Sequence, residues 1–171
     1  MATLTDKERE LVAIGASIGA GCRPCTKYHV ATALKSGFDP DEVRRAIDEA
    51  QAVRCEGGAA VANVGRSSLG VEGEGVESPR EPAEREQLLV YIGAAAGCNA
   101  AGLLEGYASG AVRRLGLSGE ELRSALEMAE TVKQHAAEFF RQDAERGLKG
   151  VVATTAATGG PSQGCCASGC E

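Results

Sequence analysis

The chain has 171 residues, of which 43% are hydrophobic and 25% are charged, and its formal net charge is −6. This length is sufficient for one domain with a hydrophobic core, and the composition is typical of a soluble globular protein. The acidic balance and an aromatic content of 4% argue against nucleic acid as a partner. Phosphate binding needs a basic patch, and base stacking needs aromatic side chains.

The first predicted element is an amphipathic helix in TDKERELVAIGASIGA, where Leu11, Ile14 and Ile18 recur at helical spacing. Thr5 and Glu8 predict a capping box at its start. The apolar run is short, contains glycine and follows acidic as well as basic residues, so it predicts a buried helix rather than a signal peptide or a membrane span. We therefore expect a cytoplasmic protein without a membrane partner.

Two more helices are predicted directly after the first. One covers residues 22–36, with Gly37 as its C-terminal stop. The next covers residues 40–63, and its start is marked by Asp39 followed three residues later by Glu42. The coarse pattern is thus a series of amphipathic helices joined by short breaks.

The chain also repeats itself. When Cys98 is placed on Cys22, the segment ERELVAIGASIGAGC aligns with EREQLLVYIGAAAGC. After a short shift in the alignment, the segment GFDPDEVRRAIDEAQAVR also aligns with GLSGEELRSALEMAETVK. Such self-similarity indicates an internal duplication of one helical unit and predicts an all-α fold. The predicted organisation is a first repeat at 1–64, a Gly/Ser/Pro linker at 65–83, a second repeat at 84–149 and a flexible Cys-rich tail at 150–171.

The CRPC motif opens the second predicted helix, and on a helix Cys22, Cys25 and His29 share one face. The start of a helix stabilises a thiolate, and a nearby histidine can relay its proton. A thiolate attacks peroxides or disulfides, and a second thiol then resolves the oxidised sulfur. The spacing favours dithiol redox chemistry over three alternatives: half of a zinc site, a thioredoxin-type motif, which would follow a strand, or an inert buried pair.

In combination, Glu10, Cys22, Cys25 and His29 within a duplicated helical unit resemble the alkylhydroperoxidase (AhpD) and carboxymuconolactone decarboxylase family, over about residues 5–147. The resemblance implies an all-α fold, packing as a homo-oligomer and a thiol-based peroxidase or disulfide reductase activity without a cofactor. It also implies that Cys25 is the peroxidatic thiol and Cys22 the resolving thiol. Glu10 and His29 would form the proton relay.

The substrate implied by the resemblance is a peroxide or a protein disulfide, and the reductant is an unidentified thiol. The decarboxylase branch of the family typically lacks the cysteine pair, so its presence here favours redox chemistry. The sequence departs from the alkylhydroperoxidase branch at two points. The motif lies in the first repeat rather than the second, and Pro24 stands where that branch has a histidine before the second cysteine.

The second repeat has lost the chemistry of the first. With the alignment by Cys98, Ala101 stands in place of the second cysteine and Glu105 in place of the histidine. Without a second thiol no local disulfide can form, so this repeat is predicted to be structural. His135, in VKQHAAEFF, is predicted to be a residue of the helix surface.

Three further cysteines, Cys165, Cys166 and Cys170, lie in the predicted tail. Thiolates favour soft ions, so these residues could bind a metalloid such as arsenite, or they could exchange disulfides with the CRPC motif. A third alternative is an unstructured end whose thiols are incidental. Two alternative functions therefore stay open. One is a thiol protein that binds soft metals or arsenicals, and the other is a non-redox relative of the carboxymuconolactone decarboxylases.

Overall fold

The structure is a computed structural model that describes residues 3–71 and 80–157. Within these ranges it contains helices and no strand, so the predicted all-α fold is confirmed. The helices are α1 (Asp6–Gly19), α2 (Arg23–Lys35), α3 (Pro40–Ser68), α4 (Arg85–Gly97), α5 (Ala101–Gly106), a π-helix (Tyr107–Ala111), α6 (Val112–Arg114) and α7 (Gly119–Ala157). None of the described helices has an apolar stretch long enough to cross a membrane.

The chain divides into two compact units, residues 1–139 and residues 140–171. The first unit contains α1 to α6 and most of α7, and it holds the buried core. In the second unit the described residues continue α7, and their side chains are exposed from Phe140 to Lys149.

Capping residues explain where three of the helices begin. The backbone N–H of Thr5 donates to Glu8 Oε2 at 2.8 Å, and the N–H of Glu8 donates to the Thr5 hydroxyl at 3.2 Å. This reciprocal pair satisfies N–H groups that have no partner in the first turn of a helix. The predicted helix starts at Thr5 with Glu8 and at Asp39 with Glu42 both form capping boxes, and Ser118 with Glu121 forms a third.

Two helices continue beyond their predicted ends. α3 ends at Ser68 rather than at Asn63, and α7 ends at Ala157, although the tail was predicted to begin at Gly150. The apolar pattern marks the part of a helix that is buried, and in α3 the buried residues stop at Gly57. A helix can continue past that point because its backbone hydrogen bonds are internal. Residues 72–79 of the predicted linker and residues 158–171 of the tail lie outside the described residues.

α1 and α4 form the centre of the core and cross at four glycines. Nearly every residue of the two apolar segments 11–19 and 88–95 is buried. A Cβ atom on Gly15 would overlap the carbonyl oxygen of Val90, and one on Gly93 would overlap that of Val12. The glycines allow the two backbones to approach in a way that no larger residue permits. The same reciprocal contact is made by Gly19 with Ala94 and by Gly97 with Ala16.

These reciprocal contacts correct the alignment of the two predicted repeats. We call these repeats the first half, which begins with α1 and α2, and the second half, which begins with α4 and α5. They pair Gly15 with Gly93, and in the same register Cys22, the N-cap of α2, pairs with Ala100, the N-cap of α5. Cys98 is instead the C-cap of α4, so the alignment by Cys98 is wrong. The small residues determine how two helices cross. A cysteine at a helix end can occupy a different sequence position without changing that crossing. The duplication itself stays a prediction.

The π-helix absorbs a difference in length between the halves. The segment from Ala101 to Arg114 is one residue longer than α2, which has 13 residues. A π-helical turn holds one more residue than an α-helical turn, so the extra residue fits within the helix. Beyond it both halves turn at a glycine with positive φ, +85° at Gly37 and +70° at Gly116. The stop predicted at Gly37 is therefore confirmed.

Candidate active site

The two cysteines of the CRPC motif form a disulfide at the start of α2. Their Cα atoms lie 5.3 Å apart, and Cys22 is the N-cap residue, with Pro24 in the first turn as predicted. The backbone N–H of Cys25 donates to Cys22 Sγ at 3.2 Å. Cys22 is 6% exposed and Cys25 is 5% exposed. The two sulfurs thus lie close enough to bond at the start of the helix, with little of either residue exposed.

Glu10 and His29 come together from two helices. His29 Nδ1 lies 2.9 Å from Glu10 Oε2, and their side chains are 14% and 16% exposed. An ionised carboxylate only accepts hydrogen bonds, so in this contact Nδ1 carries the hydrogen, and in the neutral form of the ring the lone pair is then on Nε2. His29 follows Cys25 by one helical turn, which places the imidazole on the cysteine's side of α2. This arrangement can hold or deliver a proton on that side of the helix.

A buried polar group that was not predicted joins the start of α2 to α1. The backbone N–H of Cys22 donates to the carbonyl oxygen of Ser17 at 2.9 Å, and Ser17 is fully buried. The Thr26 hydroxyl lies 2.9 Å from the carbonyl oxygen of Cys22 and 3.2 Å from the Ser17 hydroxyl. These contacts fix the orientation of the motif. The sequence signal was available, because Ser17 is the one residue with a polar side chain in the apolar segment 11–19.

The second half has different residues at the corresponding places. Leu103 lies where α2 has Cys25, and Tyr107 lies where α2 has His29. Tyr107 is 2% exposed, and its hydroxyl has no hydrogen-bond partner among the described residues. Burial raises the pKa of Tyr107 well above its ordinary value, and the ring packs 5.4 Å from that of Tyr91. This hydroxyl therefore stays protonated and is no counterpart to an imidazole base.

None of the described contacts joins Cys55, Cys98 or His135 to this site. Cys98 is half-buried, and burial raises the pKa of its thiol, so it is a weaker nucleophile than an exposed cysteine. Cys55 and His135 are exposed, as was predicted for His135. Within the described ranges no group of three His, Cys, Asp or Glu residues is placed to hold a metal. The tail cysteines at 165, 166 and 170 lie outside the described residues.

An all-α protein with a cysteine pair and an adjacent imidazole–carboxylate pair has the groups that thiol–disulfide chemistry requires. Residues 2–64 match the model of the Carboxymuconolactone decarboxylase family. The matched segment contains all four predicted site residues, and it supports the predicted family for this part of the chain. No curated protein and no solved structure matches the chain.

Proposed function

We propose that this protein is a thiol-based peroxidase whose redox centre is the Cys22–Cys25 pair. The observation that carries the proposal is the disulfide at the start of α2, one helical turn from the Glu10–His29 pair. The family match is compatible with this activity. The cysteine pair supplies two electrons, and the imidazole supplies a proton site.

In the reduced protein the Cys25 thiolate attacks the outer oxygen of a hydroperoxide. The O–O bond breaks, Cys25 becomes a sulfenic acid, and the departing alkoxide takes a proton and leaves as an alcohol. His29, whose Nδ1 is held by Glu10, removes the thiol proton through Nε2 and can return it to the leaving oxygen. The Cys22 thiol then attacks the sulfenic sulfur, which forms the disulfide and releases water.

The burial of the pair favours a peroxide over a protein disulfide as the substrate. Cys22 and Cys25 are 6% and 5% exposed, so a small hydroperoxide reaches them more easily than a cystine held within another folded protein. A protein disulfide would need one of its sulfurs within bonding distance of a cysteine of the pair. We therefore place peroxide reduction before disulfide reductase activity.

Self-association belongs to the same proposal. The C-terminal part of α3 and the residue that follows it expose large apolar side chains, with Val61 65%, Val64 68% and Leu69 81% exposed. Apolar patches on a soluble protein often mark contacts with another chain, which supports the proposed homo-oligomer. Sedimentation equilibrium of the full chain tests this, and a monomer at micromolar concentration would contradict it.

The function is tested by turnover with two substrates. The reduced protein is supplied with dithiothreitol and given either cumene hydroperoxide or insulin, whose disulfides report reductase activity. We expect peroxide consumption that disappears in Cys25→Ser and persists in Cys55→Ser, a matched change at an exposed thiol. Reduction of insulin without peroxide consumption would identify a disulfide oxidoreductase. If neither substrate reacts, the proposal is wrong.

A further inference from the structure

An open groove with a volume of about 570 Å³ lies beside the disulfide, between α2 and α3. Its size is within the range of small-molecule binding sites. Cys22 is among the described residues that line it, whereas Cys25, Glu10 and His29 are not. A ligand in the groove would thus meet the disulfide at Cys22. The imidazole–carboxylate pair lies outside the groove, one helical turn after Cys25.

The rim of the groove is cationic. Arg23 and Lys27 line it from α2, and Arg54 lines it from α3. None of the three forms an ion pair with a described residue. The groove also contains Asp48, but this carboxylate lies 3.6 Å from Arg44 Nη1. In a chain whose net charge is −6, the groove is a local reversal of sign that attracts anions.

The interior of the groove combines this charge with an apolar surface. Ile18, Val30 and Ile47 line it together with the cations. Arg54 Nη1 donates to the carbonyl oxygen of Ile18 at 3.1 Å, which holds the guanidinium in place without neutralising its charge. A ligand that fits both features has a short apolar stem and at least one carboxylate, since arginine binds carboxylates through paired N–H groups.

We propose that the groove binds the reductant of the cysteine pair, and that this reductant is a small thiol with one or more carboxylates. The proposal rests on the proposed function for the need of a reductant, and on the groove for its chemical class. The carboxylate pairs with Arg54, Lys27 or Arg23, and the stem carries the sulfur along the apolar surface to Cys22.

Reduction then takes two steps. The bound thiolate attacks Cys22 Sγ, a new S–S bond forms, and the Cys22–Cys25 bond breaks. The electron pair leaves on Cys25 Sγ, which takes up a proton with the help of His29. A second molecule of the thiol attacks the sulfur of the first, which releases the oxidised small-molecule disulfide and the Cys22 thiolate. Two thiols are oxidised and one protein disulfide is reduced, so atoms and electrons balance.

The test compares three small thiols that differ in charge: 3-mercaptopropionate, 2-mercaptoethanol and cysteamine. The rate of disulfide reduction in the oxidised full chain is measured by alkylation and mass spectrometry, without peroxide. The quantity of interest is the rate ratio of the anionic to the neutral thiol. Comparing this ratio between protein variants cancels the intrinsic reactivity of each thiol.

We expect the ratio to fall by about fivefold or more in Arg23→Gln/Lys27→Gln, as for the loss of local steering by charge. The matched control Lys35→Gln/Arg123→Gln removes two exposed cations away from the groove and should leave the ratio unchanged. For the wild-type protein the ratio should approach that of the groove variant at about 1 M salt, where the screening length is about 3 Å. The trapped intermediate should carry the small thiol on Cys22.

Equal ratios in wild type, groove variant and control would overturn the proposal, as would an adduct on Cys25. Faster reduction by thioredoxin, with no preference for the anionic thiol, would also overturn it and would identify a protein as the reductant. Because the assay contains no peroxide, its outcome is independent of peroxidase turnover. Charge-selective reduction in a protein that never consumes peroxide would leave the groove in place and remove the proposed function.

Discussion

The α1–α2 half and the α4–α5 half share a frame but differ in their reactive side chains. α1 and α4 each contribute two glycines to their crossing, and α2 and α5 begin at corresponding positions. At those places the first half has a disulfide with an imidazole–carboxylate pair, and the second has Leu103 and the buried Tyr107. The residues that hold the helices together are thus separate from those that we propose to react.

The largest effect is expected from removing the reactive thiol of the first half. Cys25→Ser should abolish peroxide turnover, because no described cysteine outside the pair lies on the helix that holds His29. Cys22→Ser should allow Cys25 to form a sulfenic acid that accumulates or forms a mixed disulfide, which mass spectrometry detects. Cys98→Ser is the control in the second half and should keep turnover. Loss of activity in that control would mean that the halves are not chemically distinct.

A second change gives the first half the residues of the second. Glu10→Leu copies Leu88 and His29→Tyr copies Tyr107, and together they should lower turnover by about a hundredfold, the usual contribution of acid–base catalysis. Glu10→Gln keeps a hydrogen-bond acceptor for Nδ1 but removes the charge, so it should lower turnover at least about tenfold. The measurements are initial rates and helicity by circular dichroism.

The matched control for Glu10→Gln is Glu86→Gln, the same change at an exposed position of α4. It should leave the rate unaltered. A near-normal rate in Glu10→Gln itself would show that the charge of this carboxylate is not needed for turnover and that Glu10 has only a structural role.

Substitutions at the crossing of α1 and α4 should have equal effects on stability in both halves. Gly15→Ala and Gly93→Ala each force a Cβ atom against a backbone carbonyl, so each should lower the free energy of unfolding by about 1–3 kcal/mol or more. Gly58→Ala and Gly102→Ala add a Cβ atom to helices where no atom lies within 4 Å, and they should be neutral or stabilise by up to about 1 kcal/mol. Thermal unfolding measures all four. A large cost at only one of the two crossing glycines would contradict the reciprocal packing.

The last comparison concerns the capping boxes of the two halves. Hydrogen bonds from Ser118, followed by that from Arg85, lower the pKa of Glu121 to about 2. Arg85 also bonds Glu8 at 2.7 Å and so ties this cap to α1. Because the folded pKa lies below the ordinary value of 4.5, the ionised carboxylate stabilises the fold above about pH 4.5, and its contribution is lost as the pH falls toward about 2.

Glu121→Gln should therefore lower the free energy of unfolding at pH 7 by about 1.5–3 kcal/mol, as for hydrogen bonds to a charged group. The difference from wild type should shrink as the pH falls from about 4.5 to about 2. Glu42→Gln, in the corresponding box without an arginine partner in the described contacts, should cost about 1 kcal/mol. Denaturant unfolding across this pH range measures both, and a pH-independent difference for Glu121→Gln would contradict the assigned pKa.

The sequence predicted the local features well because they depend on neighbouring residues. Each capping box is a pair three residues apart, and Gly37 ends α2 through its own backbone conformation. The contact between Glu10 and His29 joins two helices, and only the family resemblance brought the two residues together before the structure did. No pattern of single residues predicts that α1 and α2 pack in this register.

Three features were missed for physical reasons. The register of the second half was misread because cysteines were aligned, although the crossing glycines Gly93 and Gly97 carry the contact. The π-helix leaves no mark in the sequence beyond one additional residue. The cationic groove combines α2 with Arg54 of α3, so its charge becomes visible only once the helices are packed.

The most direct test of the account is a titration of the fully reduced chain with cumene hydroperoxide, in which the oxidised cysteines are mapped by mass spectrometry. We expect that the first equivalent of peroxide is consumed with the loss of two thiols and forms the Cys22–Cys25 disulfide, while Cys55 and Cys98 stay reduced. Consumption of peroxide without this disulfide, or oxidation that begins at Cys55 or Cys98, would contradict it.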